Sequence, residues 1–215
     1  MQSGGNEAAT ERARVLIFAK APIAGQVKTR LIPALGEEGA ADVARRMLAD
    51  AVERARVSGL PFTLLCEPQP SDPSWAGHLP PGVLVEAQAP GDIGARMAAA
   101  SAASLARGEQ PVLIGTDSPA LGPERIRAMA LALAGHDLAI TPALDGGYAS
   151  IALSRFDPRL FVGIRWSTDE VLPATLARAD ALGWTVRLFE PVADVDEPAD
   201  LRHVPPDWLV LGGER

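Results

Sequence analysis

Short apolar runs of strand length alternate along the chain with stretches whose apolar residues recur at helical spacing, and this alternation predicts an α/β domain on a largely parallel sheet. The first run, residues 13–19, reads as a strand. Ala40, Ala44, Met47, Leu48, Ala51, Val52 and Ala55 then mark one buried helical face, which Gly59 and Pro61 end. A second strand is predicted over 62–66, a Pro-rich connection with at most a short helix over 68–81, and a short strand over 83–85. A helix over 91–107 leads to the uniformly apolar run Val112, Leu113 and Ile114, whose composition suits a central strand. The second half predicts a helix over 123–134 and a strand over 137–141. Asp145-Gly146-Gly147-Tyr148 then leads into another strand, ending at Leu153. A helix starting at Ser167 follows, with Glu170 completing a capping box. A last strand over 186–189 and a short helix after Pro198 close the pattern.

Composition narrows the picture without changing it. The chain has 215 residues, 47% of them hydrophobic but only 5% aromatic, so Ala, Val and Leu must fill most of one core. No internal repeat or interdomain linker is visible, which predicts one domain over 13–215 behind a disordered polar leader, 1–12. The net charge of −7 argues against a duplex nucleic acid partner, which would call for clustered Lys and Arg. No apolar stretch approaches the roughly 20 residues of a membrane span, and no signal region is seen, so a cytoplasmic location is expected. The single cysteine, Cys66, sits in an apolar run and reads as a buried strand thiol.

Against this acidic background the loop after the first strand stands out. It carries Lys20, Lys28 and Arg30, with Pro22 and Gly25 shaping the backbone. Loops at the carboxyl edge of a parallel sheet are where open α/β folds bind ligands. Lysines supply mobile point charges, an arginine holds two phosphate oxygens in one plane, and a glycine lets backbone amides approach. The set suits a di- or triphosphate. Val27 stands where a P-loop has its second glycine, and the three-glycine dinucleotide fingerprint is absent, so the kinase and dehydrogenase readings fall.

Asp117 follows the central strand directly, in Gly115-Thr116-Asp117-Ser118-Pro119, where a carboxylate would face the lysine loop and hold Mg²⁺ (or Mn²⁺) against phosphates. Capping of the next turn by Asp117 or Ser118 is the structural alternative. Asp194 and Asp196, two apart in an extended segment, share one side and are further metal candidates, although Asp196 before Glu197-Pro198 also suits a helix start. Asp145, Gly146, Gly147 and Tyr148 read either as a plain hairpin or as an open wall for substrate. Trp166, Ser167 and Thr168 offer a flat ring and helix-start amides to an anionic acceptor, and core packing is the alternative for Trp166. His78, His136 and His203 lack zinc spacing, and no serine nucleophile elbow is present.

Taken in order, these elements resemble the bacterial radical-SAM/selenodomain-associated transferases of the glycosyltransferase-A superfamily. The matching stretches are residues 18–22 and 27–31, Gly91 to Met97, Ile114 to Pro119, Asp145 to Tyr148, Trp166 to Thr168, and Asp194 to Asp196. The resemblance implies a three-layer α/β/α sandwich of the nucleotide-diphospho-sugar transferase type, a metal carboxylate at Asp117, and ligand contacts at Gly91, Asp92 and Arg96. The segment Lys28-Thr29-Arg30-Leu31 is also similar to the corresponding loop of phospholactate guanylyltransferases and, more loosely, of molybdenum-cofactor guanylyltransferases. Those likenesses imply Mg-dependent nucleotidyl transfer from a nucleoside triphosphate to a small phosphorylated acceptor, with Lys28, Arg30 and Asp117 catalytic. Glycosyl transfer from a nucleotide sugar is the alternative, with Asp145 or Asp169 as base; a non-catalytic nucleotide sensor is the second. Where the family carries a bulkier run after its Asp-Gly-Gly-Tyr element, this chain has Ala149-Ser150-Ile151-Ala152-Leu153, which implies a different acceptor pocket. Oligomeric state is left open.

Overall fold

The computed structural model describes residues 10–209. Its framework is a seven-stranded sheet in the order β3-β2-β1-β4-β6-β5-β7. The strands are β1 (Ala13–Lys20), β2 (Phe62–Glu67), β3 (Val85–Ala87), β4 (Gln110–Ile114), β5 (Leu138–Pro142), β6 (Tyr148–Leu153) and β7 (Val186–Leu188). All neighbours run parallel except β6, which is antiparallel to both β4 and β5. The helices are α1 (Ile32–Val57), α2 (Ile93–Ala106), α3 (Pro123–Ala132) and α4 (Val171–Ala181).

Side chains alternate across the strands, so the sheet buries two cores. Val15, Ile17, Leu64, Val112 and Ile114 pack on one face with Leu48, Val52, Ile126 and Met129 of α1 and α3. Leu16, Leu113, Ile140 and Ile151 pack on the other with Met97 of α2 and Ala179 of α4. This is the three-layer α/β/α arrangement expected. A third cluster, in which Leu31, Val43 and Met47 meet Val195 and Val204, straps the C-terminal segment onto α1.

The structure departs from the sequence reading in places. β3 lies two residues later than the predicted 83–85; only the carbonyl of Leu84 joins the ladder there, accepting from Leu64 N. The helix expected from Ser167 begins at Val171 instead. Ser167 has φ 61°, outside the extended conformation an N-cap needs, and Thr168 rather than Ser167 accepts from Glu170 N, at 3.3 Å. The C-terminal helix is a 3₁₀ segment, Pro198–His203, capped by Glu197 with Asp200, which releases the Asp196 side chain from any capping role. Of the expected leader, residues 1–9 lie outside the described residues and 10–12 form a helical turn.

Candidate active site

The strand order reverses between β1 and β4, so the loops leaving these two strands diverge and open a crevice at the carboxyl edge. A cleft of about 750 Å³ occupies that position. On its β1 side Lys20 ends the strand, and Gly25 turns the loop at φ 75°; a side chain there would meet the Glu37 carboxylate at 3.3 Å. Gly25 therefore shapes the loop without lining the cleft. The three cations differ in their engagements. Lys28, itself left-handed at φ 47°, directs its ammonium inward, donating to Val195 O at 2.8 Å and Asp196 Oδ1 at 2.7 Å. Lys20 and Arg30 are exposed, line the cleft, and among the described residues pair with no carboxylate.

On the β4 side Gly115 is required by a close approach: a Cβ there would lie 2.5 Å from Asp117 Oδ1. The absence of a side chain lets the Asp117 carboxylate fold back over the strand end. Val195 N donates to Asp117 O at 2.8 Å, which fixes the 194–196 segment beside this loop. Asp117, Asp145, Asp194 and Asp196 all line the cleft. Burial first, and then the negative charge of Asp145, Asp117 and Asp196, pushes the Asp194 carboxyl up to about 6. These carboxylates therefore repel one another, although among the described residues no three converge on a point that would grip a metal as they stand.

The far wall comes from β6, α2 and the segment before α4. Asp92 caps α2 by accepting from Ala95 N at 2.8 Å, and its neighbour Gly91 adopts φ 110°. Trp166 packs against α2 at Gly94, where a Cβ would fall 2.4 Å from the indole, so the ring both joins the second core and walls the cleft. Ser167 and Thr168 line the cleft beside it. Gly146 does not line it; at φ 92° it lets the hairpin press on Asp169, whose Cα would be 2.5 Å from a Cβ there. Asp145 holds the hairpin by accepting from Gly147 N at 2.8 Å, and Tyr148 packs into the second core, where burial raises its pKa.

Arg96 lines the cleft but is committed to the scaffold. It donates to Gly91 O at 2.8 Å, reaches Gln88 Oε1, and pairs with Glu67. Gln88, which the sequence reading passed over, bonds the Ala19 and Leu65 carbonyls at 3.1 and 2.9 Å and so ties β1 and β2 together where they enter the cleft. Its only sequence signal was its place just after the strand that was misplaced by two residues. All the candidate residues except Gly25, Gly146 and Asp169 thus line one cleft.

Comparison with known proteins agrees with this fold. Residues 47–168 match the family described as uncharacterized protein conserved in bacteria (DUF2064), and the chain belongs to that family. A candidate nucleotide-diphospho-sugar transferase from Desulfovibrio desulfuricans G20 is 30% identical, with a TM-score of 0.82 over 88% of this chain and 84% of that one. More distant folds include CMP:2-keto-3-deoxy-manno-octonic acid synthetase in complex with CTP (14% identity, TM-score 0.55, 89% and 96% covered). A nucleotidyl transferase of Methanothermobacter thermautotroptrophicus is similar in fold too (15%, 0.53, 92% and 98%). No curated protein sequence matches the chain. Among the described residues no helix is long and apolar enough to cross a membrane.

Proposed function

We propose that the protein is a divalent-cation-dependent nucleotidyltransferase that moves a nucleotidyl group from a nucleoside triphosphate to a small phosphorylated acceptor. The observation that carries this reading is the opposition, across one switch-point cleft, of two uncommitted cations, Lys20 and Arg30, and a set of mutually repelling carboxylates. A triphosphate accompanied by Mg²⁺ or Mn²⁺ is complementary to both sides. The donor set fits such an ion: all oxygen, at Asp117 and Asp194, with Asp196 already shared with Lys28, and with negative charge in excess. When bound, the ion would supply charge neutralisation on the phosphate oxygens.

Lys20 and Arg30 would hold the outer phosphates, and Lys28 would keep the Asp194–Asp196 segment in place. An acceptor phosphate oxygen forms a bond to the α-phosphorus while the bond from that phosphorus to the α–β bridging oxygen breaks, releasing pyrophosphate. The acceptor is already ionised, so no general base is required. The likeness of residues 28–31 to the phospholactate and molybdenum-cofactor guanylyltransferases supports the same reaction. Glycosyl transfer is the second reading, favoured by the description of the 30%-identical relative.

A thermal-shift panel of nucleoside triphosphates and nucleotide sugars, each with and without Mg²⁺, tests the reading. Stabilisation by a triphosphate that needs both the ion and Asp117 is expected. Stabilisation by nucleotide sugars alone would favour glycosyl transfer, and no stabilisation by any of them would remove both.

A further inference from the structure

Arg54, near the end of α1, is only 7% exposed. With Asp50 four residues earlier it has the sequence signature of an ordinary surface ion pair. Its guanidinium instead reaches beneath the loop that follows β4. Nε donates to Asp50 Oδ2 at 2.6 Å, while Nη1 donates to Ser118 O at 3.1 Å and to Leu121 O at 2.8 Å. Leu121 N closes the same turn onto Ser118 O at 3.0 Å. Asp117 is the residue immediately before this turn, and it and Asp50 both favour the charge that burial opposes. A methionine would fill much the same space without desolvating an ion, so stability alone gives little reason for an arginine here.

We propose that Arg54 is a positioning residue for the transfer reaction: its bonds to the Ser118 and Leu121 carbonyls hold the 116–121 loop so that the Asp117 carboxylate keeps its place in the cleft. This rests on the reading of Asp117 as part of the transfer site. Among the described residues no other charged side chain donates to this loop; a charged donor to a carbonyl outweighs a neutral one, and a shift of about 1 Å in a reacting geometry costs about 100-fold in rate.

The test compares Arg54→Met and Arg54→Lys with the wild-type full chain by hydrogen exchange and steady-state kinetics. Arg54→Met is expected to keep its far-UV spectrum and to exchange faster at 116–121 and at Val195. Its kcat should fall by about 100-fold while KM for the triphosphate stays within about threefold. Arg54→Lys should recover part of kcat, because an ammonium keeps the charge but not the fork. A folded Arg54→Met with wild-type kcat overturns the proposal. Should Arg54→Met not fold, wild-type kcat in Arg54→Lys overturns it equally. If the wild type turns over no triphosphate, the transfer reading fails, and exchange alone decides the loop anchor: unchanged protection at 116–121 in Arg54→Met overturns it.

Discussion

Replacing Gly94 by alanine sets two opposing effects against each other. Alanine in a helix is favoured over glycine by at most about 1 kcal/mol, and less near an N-terminus, where Gly94 sits. Its methyl group, however, would lie 2.4 Å from Trp166 Cζ2 and Nε1, whereas ordinary contact starts at 3.4 Å. The indole must retreat by about 1 Å, and overpacking of this kind costs about 1–3 kcal/mol. Gly94→Ala is therefore expected to lose about 1 kcal/mol net in a urea melt. In a Trp166→Leu background, where the obstructing ring is gone, the same substitution should be neutral or stabilising. The double-mutant cycle thus reads a coupling of about 1–3 kcal/mol. Additive effects within about 0.3 kcal/mol would refute the contact, and with it the account of why a glycine stands at this turn of α2.

Other expectations follow from single contacts. Lys28→Met should cost about 1.5–3 kcal/mol in a urea melt, the usual range for a hydrogen bond to a charged group, because its ammonium bonds Val195 O and Asp196 Oδ1; unchanged stability would mean the strap is held by Val195 packing alone. Cys66 is 1% exposed, and burial pushes its thiol up to about 11, so the native protein should resist a disulfide reagent at neutral pH and react once per chain in denaturant; rapid native labelling would contradict this. Asp137 accepts from the Thr185 amide at 2.9 Å and its hydroxyl at 3.0 Å, with Arg155 alongside, so its folded pKa lies below the unfolded one. The stability margin of wild type over Asp137→Asn should therefore be full above about pH 4 and vanish as pH falls through the lower folded value; a margin that grows on acidification would reverse the sign.

Central elements were legible because their signal is burial on both faces: β1, β2 and β4 each carry a continuous apolar run, at residues 15–19, 64–66 and 112–114, and the α1 face recurs at helical spacing. β3 was displaced because three largely exposed edge residues leave no such signal. The cap at Ser167 failed for a tertiary reason. The hairpin and the segment before α4 approach one another at Gly146 and Asp169, where a Cβ on Gly146 would sit 2.5 Å from a backbone atom, in the same stretch where Ser167 turns left-handed. In the site, residue types marked the cleft but not how each side chain is engaged. Lys20, Lys28 and Arg30 look alike in sequence, yet Lys28 is committed to the C-terminal segment 167 and 168 positions away. Arg54 and Gln88 bond backbone carbonyls of distant strands and loops, a role that no local spacing encodes.

The most direct measurement is of the products. The full chain, incubated with Mg²⁺, each nucleoside triphosphate and a panel of small phosphorylated acceptors, is followed by phosphorus NMR. The account expects pyrophosphate together with a new diphosphate diester, and neither with Asp117→Ala. Nucleoside diphosphate released from a nucleotide sugar, with no pyrophosphate from any triphosphate, would contradict it.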